Sequence, residues 1–222
     1  MQEVRGSIPL SSTSSEVGMG SQRKNSHPTR EALIAAAARL LETKPPEEVK
    51  VDEILSESGI SSGSLYHHFR DLSDLIDHAM IARYTAYSDA NIDVLVSLTD
   101  NARDRQSFSA LFRAYNALQV APDRAAARTA RVQVVARATN DERFRTLFLA
   151  EQDRVLEAVA DIAREFQSRG IVDADFNPTA IAVFFGIYNI GLVVNDLAGN
   201  PAMPEDLLAL MSRFVDRVLI AD

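Results

Sequence analysis

Between Thr29 and Phe69 the chain is cut into three short helical runs, and nearly every cut is made by a residue with one physical use. "TREALIAAAARLLET" sets Leu33, Ala36, Ala37, Leu40 and Leu41 at i, i+3, i+4, i+7 and i+8, the spacing of one helix face. Thr29 after Pro28 is the expected N-cap, Glu31 sits near the positive helix end, and Pro45 with Pro46 stops the run. A second run, Val51–Ser58, carries Val51, Ile54 and Leu55 on one side, and Gly59 is placed to end it in the left-handed conformation. Ser61 caps a third, from Ser62 to about Phe69, whose apolar marks are Leu65 and Phe69.

From Leu72 onward the periodicity stays helical, over about 72–99, 106–120, 124–139, 141–169, 178–197 and 204–220. No segment sustains period-two alternation, so the predicted fold class is all-α. The predicted organisation is a flexible N-terminal tail over 1–27, a three-helix domain over 28–72 and a larger helical domain over 73–222.

Composition removes whole classes of chemistry. There is no Cys, hence no thiolate nucleophile and no Cys-based metal site. The histidines are His27, His67, His68 and His78, in no metal-binding pattern. No nucleophile elbow or phosphate loop is present, so an enzyme is not expected, nor any metal or cofactor. The 46% apolar content is that of a soluble globular chain, and no unbroken apolar run reaches the ~18 residues of a spanning helix. The polar opening segment lacks the apolar core of a secretory signal, which reads as cytoplasmic with no membrane partner. Net charge is −8, with residues 71–222 carrying 22 acidic against 15 basic residues. Bulk charge therefore does not announce nucleic acid, and a local motif has to do so.

"ESGISSGSLYHHF" is that motif. Two short helices joined by a tight turn, the second capped by Ser, form the pattern of a helix-turn-helix, whose second helix offers its N-terminal side chains to a DNA groove. Ser61, Ser62, Gly63 and Ser64 are small enough for close approach, while Tyr66, His67 and His68 supply hydroxyl and imidazole hydrogen bonds to phosphate or base. The plain alternative is a capped surface helix with solvated histidines.

Residues Glu31–Leu75 resemble the DNA-binding domain of the TetR family of one-component regulators. "ALIAAAARLL" is similar to its first helix, "VDEILSESGIS" to its second helix and turn, and "SGSLYHHFRDLSDL" to its third helix running into the fourth. The resemblance implies DNA contacts by Ser64, Tyr66, His67 and His68, and core positions for Leu65 and Phe69. Three departures stand out. Lys50 replaces a frequent capping Thr, which makes it either a phosphate contact or a solvated lysine. Leu55 replaces a usual small Ala, and Ser73 replaces a usual phosphate-binding Lys. The tail residues Arg23 and Lys24, with Arg30, are candidates to compensate.

The resemblance further implies that the rest of the chain binds an effector and dimerises, without transferring any residue role there. Physical reading supplies the candidates. "AVFFGIYNIGLVVNDL", Ala182–Leu197, is apolar enough to need burial on most sides, and Gly186 and Gly191 within it suggest close approach of a helix or ligand. With Leu207, Met211, Phe214 and Val218 of the last helix they form the candidate dimer interface. The candidate pocket comprises Phe108, Phe112, Tyr115, Asn116, Phe144, Phe148, Phe184, Tyr188, Asn189 and Asn195, aromatic or amide groups on apolar faces that equally suit a plain core. The expected function is a dimeric repressor of a palindromic DNA operator, released by a small hydrophobic or amphipathic effector. Control by a protein partner, and activation in place of repression, are the alternatives.

Overall fold

The computed structural model describes residues 26–220, with side chains from Pro28. The expected tail, including Arg23 and Lys24, lies outside the described residues. Among the described residues nine α-helices follow one another: α1 Ser26–Leu40, α2 Val51–Ser58, α3 Ser62–His68, α4 Leu72–Asn101, α5 Arg105–Val120, α6 Ala125–Asn140, α7 Glu142–Ser168, α8 Pro178–Asp196 and α9 Pro204–Phe214. Among the described residues the only β pairing is an isolated bridge between Val172 and Ile220.

Helix ends follow the expected chemistry with two corrections. Gly59 closes α2 at φ 69°, and the Ser61 hydroxyl accepts from the Ser64 N–H at 3.3 Å. Asp71, Asp104, Asp141 and Asn177 cap α4, α5, α7 and α8 with their side chains. Thr29, however, is no cap. The helix already begins at Ser26, because Pro28 is tolerated in a first turn whose N–H groups lack intrahelical partners anyway. The expected last helix does not run unbroken to Ile220 either: after Phe214 it widens into a π-helical turn, Val215–Leu219, which lets the chain exit against Val172.

Two apolar clusters build the interior. The N-terminal one joins Leu33, Ile54, Leu65 and Phe69 to Leu75 and Ile76 of α4 and to Val134, Ala138, Phe144 and Phe148 at the α6–α7 corner. The second packs Leu98, Phe108, Phe112, Phe166, Ile181, Met211 and Val215 at the opposite end. α4 and α7 run alongside each other in the same direction. Tyr84 donates to Gln152 at 2.5 Å, Arg154 to Asp89 at 2.5 Å, and farther on Arg169 donates to the Thr99 carbonyl at 2.7 Å.

α8 departs from the sequence reading in two ways. By length and composition it is apolar enough to cross a membrane, with mean hydropathy 1.5, although Asn189, Asn195 and Asp196 break its apolar run. It is also not buried on most sides: Ile187 is 64% exposed, Val194 75% and Leu197 81%.

Candidate functional site

The outer face of α3 is polar and free. Ser62, Gly63, Tyr66 and His67 are exposed, while Leu65 and Phe69 anchor the helix in the N-terminal cluster. Ser64 and His68 are half-buried, and the rings of His67 and His68 meet edge to face at 5.2 Å. Burial, then the neighbouring His67 and Arg30, hold the His68 imidazole below its ordinary range. Arg30 itself lies over the Phe69 ring at 5.2 Å, which places a cation from α1 beside the C-terminal end of α3.

The departures from the family pattern each have a structural answer. Lys50 is exposed and provides no side-chain cap. Its backbone N–H instead donates to the Glu53 carboxylate at 3.2 Å, and Lys44 also contacts Glu53. Leu55 is half-buried and packs on the N-terminal cluster. Ser73 is exposed, and its hydroxyl accepts from the Arg137 guanidinium at 3.3 Å.

Behind this unit, the first turns of α4 are tied to the α6–α7 corner by ion pairs. Asp77, 1% exposed, pairs with Arg137, and Asp74 pairs with Arg143 at 2.5 Å. Asp74 also accepts from the Arg70 backbone N–H at 3.0 Å, which fastens the junction between α3 and α4.

A cavity of about 130 Å³ lies between the two apolar clusters, lined by α4 to α8 and the C-terminal π turn. Phe108, Phe112, Tyr115 and Asn189 of the expected pocket line it, and so does Gly186, expected at the dimer interface. A Cβ added at Gly186 meets nothing within 4 Å. The other expected pocket residues are occupied elsewhere. Phe144 and Phe148 fill the N-terminal cluster, where Phe148 meets Tyr84 edge-on at 5.2 Å. Asn116 is buried and donates to the Phe112 carbonyl at 3.0 Å, and Asn195 is bonded to Ala202. Phe184 is 40% exposed and stacks on Phe214 at 4.9 Å, and Tyr188 packs on the second cluster with its buried hydroxyl unpartnered. Sequence reading missed Tyr84, Ser88, Asn91, Arg131 and Gln152 in the lining. A signal existed for three of them: Tyr84, Ser88 and Asn91 continue the spacing of Leu95 and Leu98 along one face of α4.

The remaining interface candidates divide. Gly191 lies between Ile187 and Val194 on the exposed stripe, and a Cβ there also meets nothing within 4 Å. Val218 is exposed, and Leu207 and Phe214 are half-buried. Met211 turns inward, 6% exposed, because the second cluster needs a side chain at that height. Leu210 beside it is the outward residue, 70% exposed.

Residues 33–79 match the family of bacterial regulatory proteins of the TetR type. No curated protein sequence matches the chain. Among solved structures, a TetR-family transcriptional regulator from Mesorhizobium loti is similar over 86% of this chain and 95% of its own, at 18% identity and TM-score 0.65. A transcriptional regulator from Saccharomonospora viridis in complex with choline is similar over 88% and 100%, at 18% identity and TM-score 0.63. NemR of E. coli, in its reduced form, is similar over 88% and 99%, at 18% identity and TM-score 0.61. The N-terminal domain is thus of the TetR family, and the described fold is the one these regulators share.

Proposed function

We propose that this chain, with its TetR-family DNA-binding domain, is a dimeric transcriptional repressor that leaves a palindromic operator when a small molecule fills the cavity. The observation that carries the reading is the face of α3: a short capped helix with exposed Ser62, Gly63, Tyr66 and His67, held by buried Leu65 and Phe69. Small residues at the helix start let backbone N–H groups approach phosphate, and the hydroxyl and imidazole groups donate and accept at base edges. Ser61, Ser64 and His68 belong to the same helix or its cap, and Lys50 is exposed at the start of α2.

Dimerisation is supported by the stripe of Val183, Ile187, Gly191 and Val194 on α8, which the chain leaves uncovered. An apolar helix face of this length in water favours a second copy packed against it. Two copies related by a two-fold axis bring their α3 helices to half-sites about 34 Å apart, one helical turn of DNA. The cavity favours a small effector over a protein partner as the controlling signal. The choline of the S. viridis structure offers a first compound to try, although the lining here carries Arg131 and no carboxylate.

The test is selection of binding sites from random duplex DNA, repeated with Tyr66→Ala. Tyr66 is 54% exposed, so its loss leaves the core intact. A palindromic site that is enriched by the native protein and lost in the variant is the expected result. Absence of any enriched site from folded, ligand-free dimer would overturn the reading.

A further inference from the structure

The cavity is sorted along its length, and each of four helices contributes to the sorting. On α4 the lining runs from Tyr84, Ser88 and Asn91 to Leu95 and Leu98. On α7 it runs from Gln152 to Phe166, on α5 from Tyr115 to Phe108, and on α8 from Asn189 to Ile181. The hydrogen bond from Tyr84 to Gln152 joins the polar members at one end, and the Phe108–Phe166 ring contact at 4.7 Å joins the apolar members at the other. Leu98 lies 14 residues beyond Tyr84 along the helix, about 21 Å at ~1.5 Å per residue. The polar end is the one nearer α3.

Arg131 of α6 lines this polar end, with no counter-ion among the described residues. Arg128, one turn away, shows what a satisfied guanidinium looks like here: it grips Asp196 through two contacts of 2.6 Å and donates to the carbonyls of Gln119 and Ala121. Among the described residues Arg131 makes no hydrogen bond or ion pair. The charged and ionisable groups acting on it are Arg124 and Arg128, both like-charged, and the phenols of Tyr84 and Tyr115, with no carboxylate among them. Burial pushes both phenols above their ordinary range, so neither supplies the missing negative charge at neutral pH. A guanidinium stays protonated in proteins, and a cation removed from water without a partner is costly. The side-chain oxygen of Asn189 is a second unmet group, buried without a partner beside Tyr115. With its amide turned over, that oxygen accepts from the Tyr115 hydroxyl and the NH₂ group is left to donate to an anion.

We infer that the effector is an amphipathic carboxylate, whose acid group meets Arg131 and Asn189 and whose apolar body lies between Phe108, Phe166 and Ile181. This rests on the reading of the cavity as the effector site and deepens it. The charge decides against choline-like cations, which Arg131 repels, and against uncharged hydrocarbons, which leave it unpaired.

Calorimetric titration of the full chain with decanoate, decanol and decyltrimethylammonium, in the absence of DNA, tests the inference. Decanoate is expected to bind the native protein at least tenfold more tightly than either of the others. Arg131→Gln should remove that advantage while leaving decanol affinity within twofold, and Arg131→Lys should restore part of it. Equal binding of acid and alcohol by the native protein, or an unchanged decanoate affinity in Arg131→Gln, overturns the carboxylate while leaving an apolar effector site standing. Should Arg131→Gln fail to fold, the three-probe comparison on the native protein decides alone. Binding of none of the three overturns the inference together with the cavity as an effector site. The operator selection reads DNA alone, so its outcome is independent of all of these.

Discussion

Arg137→Met is the substitution whose consequences the structure defines most closely. Asp77 is buried on α4, and Arg137 reaches it from α6 while its guanidinium also lies over the Phe144 ring at 5.3 Å. Burial pushes the Asp77 carboxyl above its ordinary range, and Arg137 pulls it back by charge and hydrogen bonding, while Asp141 and Asp74 push it further up. Removing Arg137 strands a carboxylate in the interior, a change that typically costs about 3–5 kcal/mol. Against a total stability of about 5–15 kcal/mol this is a large fraction. With a urea slope of about 2–3 kcal/mol/M the midpoint should fall by roughly 1–2 M at pH 7.5.

The charge argument also fixes a pH dependence. A carboxyl whose folded pKa lies above its unfolded value binds more protons in the folded state between the two, so folding gains stability as pH falls through the folded pKa. In Arg137→Met that folded pKa rises further. Its deficit against the native protein should therefore shrink between pH 7.5 and 5, by no more than about 1.4 kcal/mol per pH unit. Adding Asp77→Asn removes the stranded charge and should recover most of the loss at pH 7.5. The assay is urea unfolding followed by circular dichroism at one fixed protomer concentration. If the double variant is as unstable as the single one, and the deficit is the same at both pH values, the charge reasoning is refuted. Packing of the arginine stem on Phe144 would then be its role.

Three further outcomes are expected. Gly59→Ala should cost about 1–2 kcal/mol in thermal unfolding through backbone conformation alone, since φ is 69° and a Cβ there meets nothing within 4 Å; an unchanged Tm would mean the turn relaxes freely. DNA affinity measured by fluorescence anisotropy should rise as pH falls from 8 to 5.5, because protonated imidazoles on α3 attract phosphate. The His68 share should arrive below the ordinary 6.5, since burial and then the neighbouring His67 and Arg30 hold its proton affinity down, and His68→Ala should lose that late rise; a flat native profile with the fold intact would defeat the idea. Val194→Glu, at a position 75% exposed, should give folded monomers in sedimentation with weakened operator binding. A persistent dimer would place the interface elsewhere.

The DNA-binding end was legible in sequence because its punctuation is local: the Gly59 turn, the Ser61 cap and the Leu65 and Phe69 anchors depend on neighbours within a few residues. The cavity was less legible for a physical reason. Aromatic residues at helical spacing look alike whether they face a void or a packed core, so Phe144 and Phe148 read like Phe108 and Phe112 although they fill the interior. Ser88 and Asn91 went unmarked because their cover comes from α5, α6 and α7, which are distant in sequence. Arg131 was hidden among several arginines of one helix, and its lack of a partner is a property of three-dimensional surroundings only. α8 was read as enclosed because its composition demands cover, but composition alone does not say whether that cover comes from the same chain or from outside it.

The two ends of the molecule meet on α4. Its start is fastened to α3 through the Arg70 N–H and Asp74, its next turn is held to the α6–α7 corner through Asp77 and Arg137, and two turns later Tyr84 and Ser88 enter the cavity lining. Asp77 and Tyr84 are seven residues apart, about 10 Å along the helix. An anion arriving at Arg131 would compete for the groups that link α4 to α7, the Tyr84 and Gln152 side chains foremost. Such a ligand acts within two turns of the ion pairs that position α3, and it acts through a stiff helix. The N-terminal cluster shares one core across α1 to α4, α6 and α7, so a tilt of α4 carries the whole recognition unit with it. Its effect on DNA affinity is bounded by the ligand's preference for the tilted conformer, tenfold for each ~1.4 kcal/mol. On the proposed reading, a polar end near α3 and an apolar end near Phe166 suit regulation: the tail would supply affinity common to both conformers, and the head group would supply the difference between them.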